Sequence, residues 1–110
     1  MRVYLAGPMR GYKDFNFPAF FAAAEKFKAE GHEVFNPAEA DLEEFGTVEN
    51  VQKLYEADPE KLKRHVMKKD LLWLLDHAEA IAMLPGWEKS FGANVEFVLA
   101  EYLKLKQIFL

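Results

Sequence analysis

Four short strand-forming runs, each separated from the next by a helix-forming stretch, constrain this chain more than any other feature. RVYLA at residues 2–6 runs into Gly7-Pro8, and HEVFNP (32–37), EAIAML (79–84) and QIFL (107–110) follow. Between the first two, Phe17, Phe20, Phe21, Ala24 and Phe27 recur with helical spacing and make one apolar face. Asn16 or Phe17 is the expected cap of that helix, Pro18 suits its first turn and Gly31 its end. Asp58-Pro59 opens a long helix to about His77, whose buried face is expected to carry Val66, Met67, Leu71, Leu74 and Leu75. A last helix, from about Gly92 to Lys104, turns Ala93, Phe97 and Ala100 inward. Residues 38–58 are rich in Asp and Glu and read as a loop or lid over one end of the sheet, with a short helix near Val48–Glu56.

The order β-α-β-α-β-α-β implies a parallel sheet with helices on both faces. The expected architecture is a flavodoxin-like three-layer α/β/α sandwich with a mainly parallel sheet, formed by one domain over residues 1–110. A length of 110 residues suits one domain, and 51% hydrophobic with 29% charged residues suits a globule. The absence of cysteine removes disulfides, thiolate metal sites and thiol nucleophiles, and fits a cytoplasmic location. MRVYLAGPM is too short for a signal-peptide core, and no apolar run reaches the roughly 18–20 residues of a membrane span. A net charge of −4 with no basic stripe argues against a nucleic-acid duplex as partner, whereas a small phosphorylated ligand needs only local positive charge. In such sheets ligands sit beyond the carboxyl ends of the strands, where the strand order reverses. GPMRG and PGWEKSFG, the loops after strands one and three, are therefore the expected site.

Two carboxylates stand out near those loops. Glu96 shares the inward face of the last helix with Ala93 and Ala100, close to the positive end of the helix dipole. That position suits an ionised nucleophile, or simply an acid complementing a solvated helix start. Asp70 lies between Val66 and Leu74 on an apolar helix face. Burial there would raise its pKa and let it hold a proton as general acid; the alternative is a salt bridge to Lys68, Lys69 or a neighbouring element. Ser90 and Gly92 open the last helix and would offer a hydroxyl and free N–H groups to an anion; equally, Ser90 is a plain N-cap. Gly7 and Gly11 would let backbone approach the ligand, and Arg10 would add a fork of donors, unless the glycines only make turns and the arginine is solvated. Neither loop matches a P-loop or GxGxxG. Tyr4, mid-strand, is core or partner to a carboxylate. Trp73 reads as core, and Trp87 as either a base-stacking platform or a core cap. His32, His65 and His77 show no ligand spacing.

Taken together, YLAGPMRG, DFNFPAFFAAAEKFKAEGHEVFNP and KKDLLWLLDHAEAIAMLPGWEKSFGANVEFVLA resemble the nucleoside 2-deoxyribosyltransferase-like superfamily, notably its small, often phage-borne members. The resemblance spans nearly the whole chain. It implies a nucleoside or nucleotide N-glycosidase or deoxyribosyltransferase, with Glu96 as nucleophile, Asp70 as the catalytic acid and Tyr4 positioning Glu96. By the same resemblance, Ser90 contacts the 5′ end of the sugar and Arg10 favours a 5′-phosphate. It also implies a homodimer, no cofactor and no metal. Classical transferases continue beyond the last strand, where this chain ends at Leu110, which tilts the expectation toward hydrolysis. The alternative is a non-catalytic module that senses or sequesters a nucleotide.

Overall fold

The computed structural model describes residues 1–110. Its strands β1 (Arg2–Ala6), β2 (Glu33–Phe35), β3 (Ala80–Met83) and β4 (Lys106–Phe109) form one sheet in the order β2-β1-β3-β4, every pair parallel. Val3 sits at the centre, in register with Val34 on one side and Ala80 on the other. From Val3 to Ala6 and from Ala80 to Met83 every residue is buried, as parallel strands covered on both faces must be.

Alternation along β1 builds two cores. Val3 and Leu5 meet Phe17, Phe20, Ala24 and Phe27 of α1 (Phe17–Ala29). Tyr4 and Ala6 point the other way and meet Leu74 of α4 (Pro59–His77) with Ala93 and Ala100 of α5 (Phe91–Tyr102). The result is the expected flavodoxin-like three-layer sandwich. No helix is long and apolar enough to cross a membrane.

Because β2 and β3 flank β1 on opposite sides, the strand order reverses between the carboxyl ends of β1 and β3. Gly7 leaves β1 there, and a Cβ on it would lie 2.7 Å from Leu84 Cβ and 3.5 Å from Phe20 Cζ. Any side chain would push the loop off the end of β3.

Three local expectations need correction. Residues 38–58 are more helical than expected: the short helix near Val48–Glu56 is present as α3 (Val48–Ala57), but the stretch before it is α2 (Pro37–Phe45) rather than loop. The Asn36 side chain accepts from the Ala38 N–H at 3.0 Å, Pro37 fits the first turn, and Thr47 accepts from the Asn50 N–H at 3.1 Å. These caps outweigh the acidic composition. The helices pack from α1 across to α4, so they wall one end of the sheet. Second, the buried face of α4 is narrower than its apolar pattern suggests. Only Asp70 and Leu74 are fully buried, Val66, Met67 and Leu71 are half-buried, and Leu75 is 52% exposed. Third, Asn16 stands at the N-cap position of α1, as expected, but its side chain makes no capping hydrogen bond. It closes a left-handed turn with Asp14 and Phe15, and its amide donates to the Pro8 carbonyl at 2.9 Å, tying the turn to the β1 loop.

Candidate active site

A cavity of about 570 Å³ opens beyond the carboxyl ends of β1 and β3. Five parts of the chain wall it: the β1 loop with Gly7 and Arg10, the start of α1 with Phe17 and Phe20, α2–α3 with Asp41 and Tyr55, α4 with Asp70, and the start of α5 with Ser90 and Glu96. Its volume lies within the usual range for small-molecule sites, and its walls are mostly apolar with a few converging polar groups.

Glu96 faces this space from α5 and is only 7% exposed. Behind it stands Tyr4, wholly buried, whose hydroxyl donates to Glu96 Oε2. The Tyr4 ring is fixed by stacking on Phe35, with centroids 5.4 Å apart, and by Trp73 at 6.4 Å. Burial pushes the Glu96 carboxyl up to about 7, and the Tyr4 hydrogen bond opposes the rise. Burial, reinforced by Glu96 and Asp70, holds the Tyr4 phenol well above its ordinary value, so it remains a donor.

Asp70 faces the same cavity from α4, and its Oδ1 is buried without a hydrogen-bond partner. The salt bridge weighed for it from sequence does not form. Lys69 turns away, 2.8 Å from Glu44 Oε1 and 3.4 Å from Asp41 Oδ1. Burial first, then the charges of Glu96 and Asp41, push Asp70 up to about 8 against the pull of Lys69. Burial thus lifts both carboxyls toward the neutral range, where a carboxyl can give up or take a proton at working pH.

The expected binding residues divide. Gly7, Arg10, Ser90 and Gly92 line the cavity. Ser90 lies on the cavity wall and is also the cap of α5, its Oγ accepting from the Ala93 N–H at 3.2 Å. Arg10 is exposed at the rim, its guanidinium 4.3 Å above the Tyr55 ring. Gly11 and Trp87 are not cavity residues. Gly11, at φ +79° with nothing near its Cβ position, is a turn glycine. Trp87 packs on Phe97 and Phe109, with centroids 4.8 and 6.2 Å away, beside β4 rather than over a ligand.

Among the lining residues that sequence reasoning missed are Asp41, Tyr55 and Lys89. Asp41 had a signal. It follows the Asn36-Pro37 cap at helical spacing from Ala38 and beside Leu42, a carboxylate on an otherwise apolar face. Reading 38–58 as a loop hid that period. Tyr55 and Lys89 carried none. No three His, Asp or Glu side chains gather closely enough to hold a metal ion.

No curated protein and no solved structure matches the sequence. A family model described as a domain of unknown function, DUF4406, matches residues 1–109. That match takes in all four strands and every residue of the cavity, so the chain belongs to the DUF4406 family.

Proposed function

We propose that the protein binds a nucleoside or nucleoside 5′-monophosphate in the cavity beyond β1 and β3 and cleaves or transfers its N-glycosidic bond. One observation carries this reading: two buried carboxyl groups, Glu96 and Asp70, share a cavity of nucleotide size, and burial raises both toward the neutral range. The resemblance to the nucleoside 2-deoxyribosyltransferase-like superfamily gives the same residues the same roles. In this mechanism a Glu96 carboxylate oxygen bonds to the anomeric carbon as the C–N bond breaks. The bonding pair leaves with the base nitrogen, which takes a proton from Asp70. Water then attacks the anomeric carbon, gives a proton to Asp70 and releases Glu96; a second base in place of water gives transfer. The logic is that of retaining glycosidases, whose paired carboxyl groups stand about 5–5.5 Å apart. Arg10, Lys89 and Ser90 at the rim suit a phosphate.

Incubating the protein with a panel of nucleosides and 5′-monophosphates, and separating free base by chromatography, tests the reading. Base release by wild type, lost in Glu96→Ala with ligand affinity kept, is the expected result. Tight binding with no base release by wild type replaces it with the sensing or sequestering module.

The functional unit we propose is a homodimer. Phe91, Val95, Val98 and Tyr102 recur along the outer face of α5 and are 93%, 50%, 61% and 81% exposed. Phe91 and Val95 also line the cavity, so a second copy seated on this stripe would border its mouth.

A further inference from the structure

Asp41 takes no part in the bond cleavage described above, yet it is 4% exposed and lines the cavity from α2. Its one polar partner is poor. Lys69 Nζ stands 3.4 Å from Asp41 Oδ1 but 2.8 Å from Glu44 Oε1, so the ammonium is committed to Glu44. Charged hydrogen bonds are normally about 2.7–2.9 Å long. Burial raises the Asp41 carboxyl above its ordinary value, Lys69 pulls it back toward the charged form, and at 3.4 Å the ammonium is too far to fill its lone pairs. An ionised carboxylate accepts at about four sites, and a buried one left short of donors is costly.

The deficit extends along the wall. Asp70, 5% exposed and facing the same space, has an oxygen with no partner at all. The cationic donors that line the cavity sit elsewhere: Arg10, Lys63 and Lys89 are all exposed, at its rim, and the half-buried hydroxyls of Tyr55 and Ser90 are the neutral donors nearer the interior. The cavity is therefore acceptor-rich within and donor-rich at its edge. A complementary ligand brings N–H donors inward and an anion outward.

We propose that Asp41 is a specificity-determining residue that accepts hydrogen bonds from the base edge and selects nucleotides whose base carries an exocyclic amino group. The inference rests on the nucleotide reading above and deepens it. Guanine offers the fullest match, because its ring N–H and amino group lie side by side and meet both carboxylate oxygens. Cytosine and adenine offer the amino group alone. Uracil and thymine offer one ring N–H between two carbonyl oxygens, and those oxygens face the carboxylate unfavourably.

The test is calorimetric titration of wild type and Asp41→Asn with dGMP, dAMP, dCMP, dUMP and dTMP, alongside the base-release assay. Wild type is expected to bind the amino-bearing nucleotides about tenfold or more tighter than dUMP and dTMP, with dGMP tightest. Asp41→Asn, which puts a donor where an oxygen stood, is expected to narrow that ratio, partly by binding dUMP better. Equal wild-type affinity for dGMP and dUMP overturns the inference without need of any variant. So does an unchanged ratio in a folded Asp41→Asn. Base release without discrimination overturns it and leaves the glycosidase reading standing. Discrimination without base release supports Asp41 and removes the glycosidase. Binding of none of the five overturns both.

Discussion

The Tyr4 hydroxyl, in the middle of β1, donates a hydrogen bond to Oε2 of Glu96, 92 residues further along the chain. Through it the central strand sets the orientation and charge of the carboxylate proposed to act. Tyr4 does not line the cavity, so it positions Glu96 rather than meeting a ligand. Tyr4→Phe keeps the ring stack and removes the one hydrogen bond that lowers the Glu96 pKa. Base release at neutral pH is expected to fall by about tenfold to a hundredfold, with the acidic limb of the pH profile moved upward. A uniform loss at every pH would point to damaged packing instead.

For wild type, the rate of base release should describe a narrow bell. It rises as Glu96 ionises near 7 and falls as Asp70 loses its proton near 8. Asp70→Asn is expected to remove the alkaline limb and most of the rate. A pH–rate series for both proteins checks this, and an alkaline limb that survives in Asp70→Asn rules out Asp70 as its source.

Stability should run against activity at Asp70. Its folded pKa is raised, so the folded state binds this proton more tightly than the unfolded chain does. The contribution is fully present below the ordinary carboxylate range near 4 and is lost as pH rises through about 8. Asp70→Asn is therefore expected to match wild type near pH 4 and to exceed it above pH 8, by on the order of a few kcal/mol. Thermal melts across that range measure the difference.

Arg10→Ala should weaken a nucleoside 5′-monophosphate by roughly 1.5–3 kcal/mol while changing the free nucleoside much less. The guanidinium stacks on Tyr55 at the cavity rim, where a phosphate would lie. Titration of both ligands into both proteins decides it, and equal losses reject the phosphate anchor.

Light scattering at micromolar concentration is expected to give a dimer, and Val98→Asp a monomer. Val98 is 61% exposed in the centre of the α5 stripe and lies outside the cavity. A wild-type monomer removes the proposed interface.

Much of this protein is legible along the chain, because the relevant physics is local and periodic. The apolar strand runs within RVYLA and EAIAML, the phenylalanine spacing of α1 and the Asp58-Pro59 cap of α4 each act over a few residues, and together they determine a parallel α/β sandwich. Strand order then directs attention to the loops after β1 and β3, and Glu96 and Asp70 betray themselves as charges on apolar helix faces. Local caps were legible too, though Asn36 and Thr47 show how composition can mask them. What the sequence alone leaves open is every relation between distant elements. Lys69 chooses Asp41 and Glu44 over its neighbour Asp70 because α2 packs beside α4. Trp87 faces Phe97 and Phe109 because its short helical turn packs against α5. Asp41 enters the cavity because α2 and α3 wall one end of the sheet. Burial and pairing of a charged group depend on which elements meet in space, and only the folded chain settles which they are.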